Sequence, residues 1–374
     1  MTFCALSSAK GMDIKMNIAF VTPQLKIGGY EKVVINYANA FCTMGHKITI
    51  ICGFKEGEYE KQLNPQIAVV EFKARLRTFL IPLIKYLKNN KVDILYVPFH
   101  TYTSVAVIAK MIARSKVIIY SAEHGFENES QKFIRKTMKY FIKKADVLIA
   151  VSETVAKYDA EQFGIDRNRY HIFDNPVYNS EEHSDGIKCV WLDEQKCPVL
   201  VTSGRLAKDK HIDIPIKIVA EVSKKRNVSL LILGNGTEKE HLLDLVEELQ
   251  ISDIVHFEGF VSNPIRYISK CDIYLQTSEI ESFGNGVVEA QYCNIPAIVT
   301  DCGGPVELIE NGKYGVNIGS FNSKEVISNG VQAVLNILDE NIIFHGLQER
   351  TQKYDALNLE KQFMEPYYEC TKKS

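Results

Sequence analysis

Apolar residues along this chain come in two alternating rhythms. Short, nearly continuous apolar runs fall at Met16–Val21, Lys47–Cys52, Ile94–Val97, Val117–Tyr120, Val147–Val151 and His171–Phe173. Such runs read as strands covered on both faces. Between them, apolar residues recur at helical spacing. Val33, Val34, Tyr37, Ala38 and Phe41 share one face of a predicted helix that ends at Met44-Gly45-His46. Residues 179–185 are polar and turn-rich and read as a linker. The alternation then restarts, with strands predicted at Val199–Thr202, Leu230–Leu233, Val255–Phe257, Ile273–Gln276 and Ala297–Thr300. Strands alternating with helices predict parallel βαβ units, hence an α/β fold of two doubly wound, Rossmann-like domains. The expected first domain is 1–178 and the second 186–355. Asp213 is expected to cap one helix, with Pro215 in its first turn, and Thr237-Glu238-Lys239-Glu240 resembles a capping box.

Composition narrows the class. A chain of 374 residues suits two domains, and 46% hydrophobic with 24% charged residues is ordinary for a soluble globular protein. No apolar stretch approaches the roughly 18–20 residues of a membrane span. Ser7, Ser8 and Lys10 interrupt any signal-peptide core, so a cytoplasmic location is expected, with the first eleven residues dispensable and the first strand starting near Lys15. The nine cysteines are scattered, with no Cys-x-x-Cys, which argues for reduced thiols rather than a disulfide framework or zinc site. Net charge is −2, yet residues 1–178 carry 25 Lys/Arg against 16 Asp/Glu, a net of +9, and the remainder 19 against 30, a net of −11. That split argues against nucleic-acid binding over the whole surface and leaves one half able to face an anionic surface.

Candidate chemistry lies where strands give way to helices, because ligands of doubly wound sheets bind at the carboxyl ends of the strands. Gly28-Gly29-Tyr30-Glu31 sits at such a junction; it offers either a plain turn or a close backbone approach to an anion at a helix N-terminus. Ser203-Gly204-Arg205-Leu206, with Lys210, sets two cations beside a glycine turn, as a diphosphate would require; alone, the segment equally fits a solvated loop. Leu233-Gly234-Asn235-Gly236 is another glycine turn. The most informative stretch is Glu281-Ser282-Phe283-Gly284-Asn285-Gly286-Val287-Val288-Glu289. Its two carboxylates, eight positions apart, can reach opposite ends of a ligand laid across a helix N-terminus, where amides near Gly286–Val288 would meet phosphate. Carboxylates also suit sugar hydroxyls. Gly303 and Gly304 supply a further loop, before Glu307.

Taken in order, these pieces resemble the retaining glycosyltransferases of family 4, with the GT-B fold, over nearly the whole chain. The resemblance implies a hexosyltransferase moving a hexose or N-acetylhexosamine from a nucleotide-sugar, a UDP-sugar by the family's commonest usage, to a glycan or lipid-linked acceptor in cell-surface polysaccharide synthesis. It implies that Gly29 approaches the donor phosphates and that Arg205 and Lys210 bind the diphosphate; Gly204 and Gly234 are placed in the donor site, the Gly234 turn letting its loop approach the ligand. Glu281 would contact sugar hydroxyls, Phe283 and Gly284 would line the sugar, the backbone of Val287 and Val288 would reach the distal phosphate, and Glu289 would bind the ribose. Gly259-Phe260-Val261 resembles the loop that reads the base, and His124 matches the histidine facing the sugar from the first domain. Glu281, His124, Arg205 and Lys210 form the expected catalytic set. In this family, configuration is retained by a same-face displacement in which the leaving phosphate oxygen takes the acceptor's proton. The last stretch, 356–374, is expected as a helix crossing back to the first domain.

Two positions depart from the family pattern: Ser282 and His211 stand where glycine is frequent. No two Asp residues lie two positions apart, so the usual metal–diphosphate clamp is missing and no metal or cofactor is expected. Lys132, Lys136, Lys139 and Lys143 form one predicted helical stripe, and Ile134, Met138, Phe141 and Ala145 another. With the basic residues of 73–91, this suggests peripheral docking on an anionic inner membrane face, or else an ordinary surface helix. Competing readings are a nucleotide-sugar epimerase and a non-catalytic nucleotide-sugar-binding subunit.

Overall fold

A computed structural model describes residues 15–26, 28–125, 138–180 and 189–372. The first sheet contains β1 (Asn17–Gln24), β2 (Lys47–Phe54), β3 (Ala68–Glu71), β4 (Ile94–Pro98), β5 (Ile118–Glu123), β6 (Val147–Ala150) and β7 (Tyr170–Ile172), in the order β3-β2-β1-β4-β5-β6-β7. The second contains β8 (Val199–Ser203), β9 (Ser229–Leu233), β10 (Val255–Gly259), β11 (Ile273–Gln276), β12 (Ala297–Val299) and β13 (Gly315–Asn317), in the order β10-β9-β8-β11-β12-β13. Every pairing is parallel. The longer helices are α1 (Gly29–Thr43), α2 (Leu80–Asn89), α3 (Phe99–Ala113), α4 (Glu153–Phe163), α5 (Asp213–Ser223), α6 (Lys239–Glu248), α7 (Asn285–Tyr292), the short α8 (Gly304–Leu308), α9 (Val326–Leu338) and α10 (Glu360–Lys372). Two Rossmann-like domains result, as expected from the alternation.

Every strand read from the sequence is present, with ends shifted by at most three residues. Two strands were not foreseen. β3 is an edge strand whose residues are only half-buried, and β13 is three residues long, so neither leaves an apolar run to read. Both expected caps are corrected. Asp213 is the first residue of α5 and pairs with Lys217 at 2.8 Å, while Ile212, helical itself, holds the cap position. At the start of α6, Glu238 holds the cap position with no side-chain bond; its amide donates to Leu206 O at 3.0 Å instead. The loop contact thus does what the capping box was expected to do.

Of the basic stripe, Lys132, Ile134 and Lys136 lie outside the described residues. Residues 138–142 are helical, Met138, Ile142 and Ala145 are buried in the first core, and Lys143 falls in the following turn. Among the described residues, no helix is long and apolar enough to cross a membrane.

The last helix belongs to the first sheet. Phe363 of α10 is fully buried among Phe20, Tyr37, Phe41, Tyr96, Tyr120 and Phe173. Its carbonyl accepts the Tyr120 hydroxyl at 2.9 Å, and Glu360 meets His46 Nε2 at 2.8 Å. Truncating a buried Phe costs about 3–5 kcal/mol through lost transfer energy and the cavity left behind. Phe363→Ala should therefore lower unfolding free energy by that amount in urea denaturation. A loss under about 1 kcal/mol would mean that α10 only lies on this core.

Candidate active site

In each sheet the strand order reverses once, between β1 and β4 and between β8 and β11, because the chain winds outward in opposite directions from these pairs. The connections leaving the carboxyl ends there diverge and open a crevice. Gly28 and Gly29 follow β1, the 203–210 loop follows β8, the 277–284 loop follows β11, and His124 follows β5. The site is therefore placed by topology before any side chain is considered.

At its centre, Lys210 Nζ lies 2.5 Å from Glu281 Oε1. The same oxygen accepts from Ser278 Oγ at 3.0 Å and from Gln276 Nε2 at 3.2 Å. Three donors on one oxygen fix the direction of the carboxylate. Arg205, on the same loop as Lys210, extends into solvent with 70% of its side chain exposed, and its nearest counter-charge is Asp209 at 3.6 Å. The cleft thus has one cation already engaged and one available to an anion.

The glycines divide into two kinds. A Cβ on Gly29 or Gly204 would meet nothing within 4 Å, so both face open space. Gly234 and Gly286 are required by their own protein neighbours. A Cβ on Gly234 would sit 1.8 Å from Gly204 O, and one on Gly286 would sit 2.0 Å from the Tyr274 hydroxyl. Gly234 therefore lets the β8 and β9 loops touch. Tyr274 in turn bonds Ser203 Oγ at 2.9 Å, tying the start of α7 to the end of β8.

The α7 N-terminus refines two expectations. The Val287 amide is taken by Gly284 O at 3.0 Å and that of Val288 approaches the same oxygen at 3.4 Å. The first two amides of α7, Asn285 and Gly286, have no intrahelical acceptor by position and are the better anion donors. Phe283 is buried edge-on against Tyr354, so its ring lines the core and not the cleft. Gly284 caps α7 at φ 100°. Phe260 is 43% exposed beyond β10, and Val261 packs against the core.

Glu289 projects from the first turns of α7, half-buried, and burial pushes its carboxyl up to about 7 against the opposing pull of Lys32 on α1. His124 bonds the Tyr96 hydroxyl through Nε2 at 2.7 Å and meets the Tyr30 ring edge-on at 4.8 Å. Burial pushes it down to about 3, so the imidazole is neutral near neutral pH. Behind it, Glu123 Oε1 accepts the amides of His124 and Gly125 at 3.2 Å each.

The two domains meet through these loops. Ser282 Oγ donates to His124 O at 2.6 Å, and Asn175 Nδ2 to Asn285 Oδ1 at 3.1 Å. Gln276, Ser278, Tyr96, Lys32 and Asn175 were not singled out in the sequence. Only Gln276 and Ser278 carried a signal, as polar residues at the carboxyl end of a reversal strand.

Comparison with known proteins matches residues 188–355 to the family model described as glycosyl transferases group 1, and residues 27–180 to that described as glycosyltransferase family 4. One relative is the N-acetyl-alpha-D-glucosaminyl L-malate synthase of Bacillus anthracis, 25% identical over 75% of this chain and 76% of its own. Another is a Campylobacter jejuni enzyme, GalNAc-alpha-(1->4)-GalNAc-alpha-(1->3)-diNAcBac-PP-undecaprenol alpha-1,4-N-acetyl-D-galactosaminyltransferase, 23% identical over 93% of this chain and 97% of its own. Anabaena Alr3699/HepE, solved in complex with UDP-glucose, shares the fold with a TM-score of 0.78 at 19% identity, over 95% of this chain and 100% of that one.

The burial of Glu289 has a measurable sign. A carboxyl raised on folding keeps its proton longer in the folded state, so stability falls as pH rises from the ordinary value of 4.5 to about 7. Without ligand, Glu289→Gln should match wild type near pH 4.5 and melt at a higher temperature above about pH 7.5. An equal melting difference at both pH values would refute the burial account.

Proposed function

Because the chain belongs to the group 1 glycosyltransferases of GT-B fold, and is thus a sugar-transferring enzyme, we propose that it takes a UDP-sugar and transfers its hexose or N-acetylhexosamine with retained configuration to a glycan or lipid-linked acceptor. The observation that carries this reading is the Lys210–Glu281 pair beside the exposed Arg205. It sets a sugar-directed carboxylate and two diphosphate-directed cations at one loop cluster. The relative named for transfer to a diphospho-undecaprenol-linked glycan, and the neighbour solved with UDP-glucose, support the acceptor and donor classes.

In this reading Arg205 and Lys210 neutralise the charge that develops on the leaving diphosphate, with the Asn285 and Gly286 amides and the positive end of α7 adding to them. These groups supply what a metal clamp would, and the proposed transfer is metal-independent. Glu281, fixed by three donors, orients sugar hydroxyls. Neutral His124 offers a hydrogen bond to the sugar without bringing a competing positive charge. The proton of the acceptor passes to the leaving phosphate oxygen, so no side-chain base is assigned.

Thermal shift with UDP, GDP and ADP and their sugar conjugates tests the donor site. At 100 times its dissociation constant a ligand stabilises by about 2.7 kcal/mol. UDP and one UDP-sugar should raise the melting temperature, unchanged by EDTA, and both Arg205→Ala and Lys210→Ala should abolish the rise. Stabilisation by GDP or ADP alone, or loss of the shift in EDTA, would overturn the donor or the metal-independent reading respectively.

We also propose that the enzyme works peripherally on an anionic membrane from the cytoplasmic side. Tyr140 is 59% exposed and lies beside Lys143 and Lys144, an arrangement suited to an anionic interface. Sedimentation with vesicles should show binding to anionic and not to neutral lipid. Equal binding to both would remove the electrostatic argument.

A further inference from the structure

The first turn of α4 is completed by the other domain. A helix begins with amides that have no partner inside it, and they must be satisfied from elsewhere. In α4, Val155 N donates to Ser152 Oγ at 3.2 Å, an ordinary cap within the first domain. The two amides before it reach across the cleft. Glu153 N donates to Glu307 Oε2 at 3.0 Å and Thr154 N to Glu307 Oε1 at 2.8 Å, with Thr154 Oγ1 donating to the same oxygen at 2.5 Å. A carboxylate gripped by three donors at the positive end of a helix is held by charge as well as by geometry. Meanwhile Arg167 pairs with the Glu153 side chain, which draws that carboxylate away from Glu307.

Glu307 sits on α8, and α8 is tied to the sugar-directed loop. Glu281 N donates to Cys302 O at 2.6 Å, and Gly304 N to Glu281 O at 2.9 Å. Next to Glu281, Ser282 Oγ bonds His124 O in the first domain. The backbone that carries Glu281 is therefore pinned to the first domain on both sides, by Ser282 and, through α8, by Glu307. Glu307 is exposed, so its bonds can be exchanged for water as the domains part and remade as they meet.

We infer that Glu307 is a positioning residue, an interdomain latch whose seating on the α4 N-terminus holds the cleft closed and sets Glu281 at the same moment. The inference concerns how the cleft is held and does not depend on the identity of the nucleotide. It is tested on the full chain with Glu307→Ala, Glu307→Gln, Thr154→Val and the Glu307→Ala/Thr154→Val double variant. Small-angle scattering without ligand should give a larger radius of gyration for Glu307→Ala than for wild type, with Glu307→Gln between them. In steady-state assays, Glu307→Ala should raise the donor KM on the order of tenfold, the worth of one charge-assisted hydrogen bond. Thr154→Val should weaken wild type yet add nothing in the Glu307→Ala background, because both changes break the same contact. Unchanged scattering in Glu307→Ala overturns the latch whatever the kinetics. So does a Thr154→Val effect that is undiminished in the double variant. Urea unfolding of each variant separates loss of the latch from loss of the fold, and if Glu307→Ala does not fold, Glu307→Gln decides by the same criteria.

Discussion

Parallel strands cannot be joined by tight turns. Each needs a crossover long enough to return the chain to the starting edge, and in both sheets here that crossover is mostly a helix. The constraint puts every strand's carboxyl end on one edge and begins a connection there. Reversing the winding direction once per sheet then leaves a gap that no connection fills. Lys210, Glu281, Gly204 and Gly29 all sit on connections bordering such a gap. The site is thus a property of strand order first and of side chains second, and placing the two gaps opposite each other gives a cleft with walls from both domains.

What the sequence disclosed follows from this division. Central strands are buried on both faces and leave apolar runs, so their positions were legible, as were the edge strands β7 and β10, whereas β3 is half-exposed and β13 only three residues long, and neither left a run. Glycine turns and charged residues at strand ends were legible because each is local. Contacts brought from elsewhere in the chain were not. Nothing near Glu281 announces that Lys210 will meet it at 2.5 Å, and nothing near His124 points to Tyr96. Phe283 shows the converse error: its place within a motif suggested a ligand contact, while packing turned the ring toward Tyr354. The capping box failed for a related reason, since Leu206 O of a neighbouring loop takes the Glu238 amide, whereas Asp213 falls inside α5 and turns to Lys217.

His211 shows how a departure from a pattern can be accommodated. Its backbone is left-handed, at φ 46° and ψ 47°, a conformation that glycine adopts freely and other residues adopt at a cost. The imidazole stacks on Phe321 at 4.5 Å and lies within 4 Å of both Asp213 and Glu279. These contacts offset the strain, and they fix the exit of the loop that carries Lys210. Ser282, the other departure, turns its hydroxyl into an interdomain bond that glycine could not make. Both substitutions therefore add contacts around the site.

The placement of α10 bears on the order in which the protein comes into being. With Ala356, Leu359 and Met364, its Phe363 completes a core whose other members lie between Met16 and Phe173. The ribosome makes that first domain before the second, yet its core must wait until both sheets have been made before α10 can close it. The second domain, with all its strands between Val199 and Asn317, has its whole sheet available earlier. Synthesis thus runs from amino to carboxyl end, while completion runs the other way. Until α10 emerges, a nascent first domain has an aromatic face open to water, and the arrival of α10 is the event that covers it.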